Sequence, residues 1–143
     1  MTTLFDIAQN WLNQDPDAET HAELTALLTA AKNGDEKAHA DLQARFSDRL
    51  QFGTAGLRGP LQAGSMGMNR VLVAQAAGGL ADYLKDYDKQ PSIVIGYDGR
   101  KNSDVFARDT AEIMAGAGVK AYLLPRKLPT PVLAYAIQYF DTT

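Results

Sequence analysis

The chain has no cysteine, which excludes disulfide frameworks, thiolate metal sites and cysteine nucleophiles and suits a reducing cytoplasm. It also has no long apolar run. Crossing a bilayer takes roughly 18 uninterrupted apolar residues, and even the stretch from Val71 is broken by Gln75 and Asp82, so no membrane partner is expected. No base precedes Asp6, so the N-terminus does not read as a secretory signal. Histidine is nearly missing: His21 and His39 have no partners at ligand spacing and read as ordinary surface or edge residues. None of the four serines, Ser47, Ser65, Ser92 and Ser103, lies in a Gly-x-Ser-x-Gly elbow or beside a histidine. Asp15-Pro-Asp17-Ala-Glu19 lacks the glycine and distal glutamate of a calcium loop and reads as helix capping.

What is present has the balance of one globular core: 143 residues, 45% hydrophobic and 22% charged. A chain of this size buries roughly 70% of its unfolded surface and needs no staple. The net charge of −3 is unevenly spread. Residues 1–50 hold nine acids and four bases, and residues 51–143 hold eight acids and ten bases. The glycine-rich part is therefore the basic part. Its bases are scattered singly, with no basic run interleaved with aromatics, so an anionic small molecule is expected and nucleic acid is not.

Residues 1–50 read as three helices that pack on the rest of the chain. Leu4, Ile7, Ala8, Trp11 and Leu12 share one helical face. Asp15 is expected to cap a second helix with Pro16 in its first position and Leu24, Leu27, Leu28 and Ala31 as its stripe. Asn33-Gly34 stops it, and Asp35 caps a third helix whose face is Ala38, Leu42 and Phe46. From residue 51 the pattern turns to glycine, short β runs and alternating helices. A helix is expected over 69–85, a strand over 93–97, a helix capped by Ser103 with Phe106, Thr110, Ile113, Met114 and Ala117 on its core face, and a strand over 119–124. Strand, helix and strand within about 30 residues make a βαβ unit with parallel strands. Pro129-Thr-Pro131 opens a last helix through about Phe140, and the chain stops where the alternation would next supply a strand.

Three segments are candidates for chemistry. Gly53, Gly56, Gly59, Gly64 and Gly67 surround a single arginine, Arg58. Glycines let backbone N–H groups approach an anion, and a guanidinium adds bidentate geometry for phosphate. The pattern is neither a Walker loop nor a dinucleotide fingerprint, and a glycine-rich hairpin with a solvated arginine stays open beside the phosphate reading. Tyr97-Asp98-Gly99-Arg100 follows a parallel strand, where open α/β sheets place ligands; an Asp-Gly turn with Arg100 on a helix end is the alternative. Thr130, between two prolines, either faces a ligand or marks a plain helix entry.

Phe52-Gly-Thr-Ala-Gly-Leu-Arg-Gly59 resembles the first domain of the α-D-phosphohexomutases, in the form used by the phosphoglucomutase/phosphopentomutase branch. Met68-Asn69, Ile95-Gly-Tyr-Asp-Gly-Arg100, Gly116-Ala-Gly-Val119 and Leu128-Pro-Thr-Pro-Val-Leu133 follow in the family's order. The resemblance implies a three-layer α/β domain over 51–143 with a mixed, largely parallel sheet flanked by helices, preceded by a helical extension over 1–50 and truncated before its last strand. It implies a phosphoryl group moved within a sugar phosphate through a phosphoserine and a sugar bisphosphate, with Mg²⁺. Carried onto this sequence, Arg58, Thr54, Gly53 and Gly56 belong to the phosphate-binding loop, and Asp98, Arg100 and Thr130 to the edge of the active site. Neither the family's Ser-His-Asn-Pro serine loop nor its Asp-x-Asp-x-Asp metal loop occurs here. The catalytic serine is therefore expected beyond Thr143, and no metal is expected on this chain. The expected partners are a sugar phosphate, a sugar bisphosphate, the remaining domains of a cytoplasmic enzyme, and a second copy through the open sheet edge. The alternative is a stand-alone sugar-phosphate-binding or structural α/β module.

Overall fold

The computed structural model describes residues 1–143. Where composition suggests one core, the chain forms two compact units, Met1–Leu72 and Val73–Thr143. Six helices and two small sheets make it an α/β protein.

In the first unit, α1 (Leu4–Gln14), α2 (Ala18–Lys32) and α3 (Glu36–Arg45) form because each pairs an apolar stripe with a capping residue. Thr3 and Asp6 make a reciprocal capping box at α1. The Thr3 N–H, donating to Asp6, holds that carboxyl below the usual carboxylate range. Asp35 caps α3 by accepting from the N–H groups of Lys37 and Ala38. The expected start of α2 needs correction. Asp17, not Asp15, is its N-cap, and Pro16 lies before the helix. Asp15 is already engaged, accepting from the Asp17 N–H and, at 2.6 Å, from the Thr20 hydroxyl. Ile7 is likewise 40% exposed, because it sits at the rim of the arc centred on Ala8, Trp11 and Leu12.

The three stripes enclose Ala8, Trp11, Leu12, Leu24, Leu28, Ala31, Ala38 and Leu42, and the chain returns to add Ala63, Val71 and Leu72. That return is fixed by polar bonds. The buried Asn69 amide donates to the carbonyls of Gln62, Gly64 and Gly67 at 2.8–3.1 Å, and its Oδ1 accepts from the Leu72 N–H at 2.9 Å. Arg45, with a side chain 13% exposed, bonds Asp41 on α3 and pairs with Glu23 on α2. Burial works against its charge, but the bonds to Asp41 and Glu23 outweigh it and hold the guanidinium above its ordinary pKa. Gly64 passes over this residue with φ +104°, and a β-carbon there would stand 2.7 Å from the Arg45 carbonyl oxygen, so only glycine fits.

The second unit takes most of α4 (Arg70–Tyr87), then β3 (Ser92–Ile95), α5 (Ser103–Gly116), β4 (Lys120–Leu123) and α6 (Thr130–Tyr139), while β1 (Phe52–Gly53) and β2 (Gly56–Leu57) belong to the first. β3 and β4 pair in parallel, Ser92 against Lys120 through Ile95 against Leu123, as the βαβ pattern requires. Alternation sends Ile93 and Ile95 toward Ala77, Ala81 and Leu84 of α4 and Ala107 and Met114 of α5. Val94 packs the other way, with Leu124 and Ala136 of α6. Helices thus cover both faces of a two-stranded ladder. Ser103 does not cap α5 as expected: Asn102 occupies the N-cap with φ 66° and no side-chain bond, because the Ser103 hydroxyl is turned to Asp98.

Asn69→Ala removes the only amide answering three loop carbonyls and one helix N–H, and is expected to lower unfolding free energy by about 3 kcal/mol in chemical denaturation followed by circular dichroism. A melt like that of the wild type would show that the loop holds without it. The second expectation is acid sensitivity. Asp6 is lowered as above, and Asp88 is lowered by the Gln90 N–H and then the Thr143 hydroxyl. Groups lowered in the folded state contribute stability that is present above their unfolded values and lost as pH falls through the folded ones. The melting temperature should therefore stay flat down to about pH 5 and fall below about pH 4, with a smaller fall in Asp6→Asn.

Candidate functional site

The strongest sequence candidate lies on a tight hairpin of the first unit. β1 and β2 pair antiparallel, Phe52 against Leu57 and Gly53 against Gly56, which puts Thr54 and Ala55 at the tip. Arg58 comes directly after β2. It is exposed and makes no ion pair or hydrogen bond, and Thr54, Gly53 and Gly56 beside it are exposed as well. Leu57 alone turns inward, onto the helical core. The hairpin therefore offers a fixed positive charge with three glycine or hydroxyl neighbours and no competing carboxylate. This is the chemistry of an anion contact, since an unpaired guanidinium gives up no internal partner when it binds.

Asp98, Arg100 and Thr130 lie in the second unit. Past β3, Asp98 accepts from the Arg100 N–H at 3.0 Å, from the Ser103 hydroxyl at 2.7 Å and from the Arg100 guanidinium at 2.9 Å. Those contacts, led by the Arg100 N–H, keep its carboxyl below the usual range. Arg100 is thus tied to Asp98 although its side chain is 80% exposed. Thr130 is the exposed first residue of α6, behind Pro129. The Leu128 N–H donates to the Tyr97 carbonyl at 3.2 Å, so the Pro-Thr-Pro entry and the Asp98 turn leave from one point at the end of β3.

No cluster of three or more histidine, aspartate or glutamate side chains stands where it could hold a metal ion. No helix is long and apolar enough to cross a membrane. Sequence reading singles out Asn69 only through the Met68-Asn69 resemblance, without its role, and misses the other groups that hold the hairpin's base, Arg45, Ser65 and Leu50. The Asp41–Arg45 spacing of four was the visible signal for one of them. The rest act through backbone carbonyls or, for Leu50, also through close packing on Gly59, which no residue pattern reports.

The sequence model described as phosphoglucomutase/phosphomannomutase, alpha/beta/alpha domain I, matches residues 49–143. A probable phosphomannomutase of Haemophilus influenzae is 95% identical over 78 residues, which is 54% of this chain and 16% of that protein. A phosphoglucomutase of Staphylococcus haemolyticus is 42% identical over 68% of this chain and 18% of its own length. A phosphoribomutase of Saccharomyces cerevisiae is 40% identical over 89% of this chain and 20% of its own length. The chain thus spans about a fifth of these relatives. No solved structure matches it. With two thirds of its residues under the family's domain I and Arg58 on the exposed hairpin within that match, the chain belongs to the phosphoglucomutase/phosphomannomutase family.

Proposed function

We propose that this chain is the N-terminal part of a phosphosugar mutase, in which residues 1–50 are a helical extension and residues 51–143 are domain I. The parent enzyme moves a phosphoryl group within a hexose or pentose phosphate through a phosphoserine and a sugar bisphosphate, in the cytoplasm. The serine and the magnesium ligands come from polypeptide beyond Thr143, as do the strands that complete a mixed, largely parallel sheet. The two-stranded β3–β4 ladder offers free edges that favour pairing with a second copy of the chain. The relatives' names, phosphomannomutase, phosphoglucomutase and phosphoribomutase, support the substrate class.

The observation that carries the reading is the unpaired, exposed Arg58 on the glycine hairpin. Its guanidinium can donate two parallel hydrogen bonds to a phosphate, with the hairpin N–H groups and the Thr54 hydroxyl close by in sequence. In the parent this contact gains strength as charge shifts onto the transferring group. Asp98, Arg100 and Thr130 form the active-site edge in the same reading, with Asp98 fixing the Arg100 fork.

Titrating the isotope-labelled chain with inorganic phosphate and with glucose 1-phosphate should shift the amide signals of residues 53–59 and no others to the same degree. Arg58→Ala should weaken that response by about tenfold, roughly 1.4 kcal/mol, and Arg58→Lys should restore little of it, because an ammonium lacks the planar fork. Turnover by this chain alone should not exceed a buffer blank. In the parent, Arg58→Ala should lower turnover by about 10²-fold with the melting temperature nearly unchanged. Normal turnover in that variant, or equal phosphate response with and without Arg58, would sink the assignment.

A further inference from the structure

We infer that the N-terminal helices position Arg58, and that Leu50 is the positioning residue through which they do it; this rests on the reading of Arg58 as the phosphate ligand. Because the Arg58 side chain touches no partner, the fold places it only through its backbone. Both neighbours of that backbone are seated on the helical part of the chain. On one side Leu57 packs on the core that α1, α2 and α3 enclose. On the other side Gly59 lies so close to Leu50 that a β-carbon would stand 2.6 Å from its Cδ1 and 3.1 Å from its Cδ2. The Leu50 side chain thus fills the space beside Gly59 that a β-carbon would take, and the Gly59 backbone rests against it.

Leu50 is itself held. Its N–H donates to the Ser65 carbonyl at 2.9 Å, and the Ser65 hydroxyl donates back to the Asp48 carbonyl. Next along, the Met66 N–H donates to the Arg45 carbonyl at 3.0 Å, and the Arg45 guanidinium is clamped between Asp41 and Glu23. From Glu23 of α2 to Gly59, each link is a contact. The Met68 N–H closes the far side by donating to the Pro60 carbonyl at 2.8 Å. The helices therefore do more than cover a core: they place the backbone from which the free guanidinium projects.

The test compares wild type, Leu50→Ala and Leu50→Met, the last keeping the bulk that Gly59 rests on. In ligand-free protein, Leu50→Ala should lower the heteronuclear NOE of residues 57–59 while Ile95 in the second unit stays unchanged, and its phosphate affinity should fall about threefold. Leu50→Met should resemble wild type in both readings, which mere loss of stability would not produce at matched fraction folded. Unchanged NOE values at residues 57–59 in Leu50→Ala overturn the inference, as does a Leu50→Met variant no better than Leu50→Ala. If wild type ignores phosphate, the ligand reading of Arg58 fails, and the ligand-free NOE values still decide whether Leu50 positions the loop.

Discussion

The buried side-chain amide of Asn69 gives the glycine-rich segment its shape. Glycines at 53, 56, 59, 64 and 67 leave that stretch with little of its own to restrict it, and the entropy of ordering it is correspondingly large. One amide offsets this by bonding the carbonyls of Gln62, Gly64 and Gly67 while capping the start of α4 through the Leu72 N–H. One side chain thus holds both the loop and the start of the helix. Without it, the carbonyls of Gln62, Gly64 and Gly67 would lose this side-chain partner in a buried or part-buried setting.

Charge is used in two opposite ways within the same unit. Arg45 is largely enclosed and doubly paired, so its charge serves geometry: the cation is locked on, and the fork orders two helices. Arg58 is exposed and unpaired, so its charge is available to something outside the chain. Arg100 is intermediate, since Asp98 restrains it in a solvent-exposed turn where the pair itself adds little stability. Three arginines of one chain thus differ by partner and burial, not by residue type.

Apolar periodicity made the six helices and the parallel ladder legible, because burial of one face is the main constraint on each. The Leu24–Leu28–Ala31 and Ala38–Leu42 stripes are buried where spacing puts them. Caps were less legible. Asp15 and Ser103 are good capping types, yet each is drawn to another partner, Asp15 to Thr20 and Ser103 to Asp98, so the helix begins elsewhere. The strand expected over 93–97 pairs only over Ser92–Ile95, and Tyr97 spends its carbonyl on Leu128 instead. At the candidate site, Arg58 announces itself in sequence by being alone among glycines. The residues beneath it do not, because Arg45, Leu50 and Asn69 act across gaps of up to about 20 positions through backbone atoms and close contact.

The distribution of chromophores follows from the two-unit build. Trp11, the sole indole, lies in the core of the first unit against Phe46, whereas all six tyrosines fall in the second, with Tyr83 stacked on Tyr87. Red-edge excitation therefore reads the helices and their glycine loop, and phenol absorbance reads the parallel ladder and its helices. Each unit carries its own colour, and a single native chain reports on cooperativity between its halves without any label: superimposable transitions mean one folding unit, and separated ones mean two.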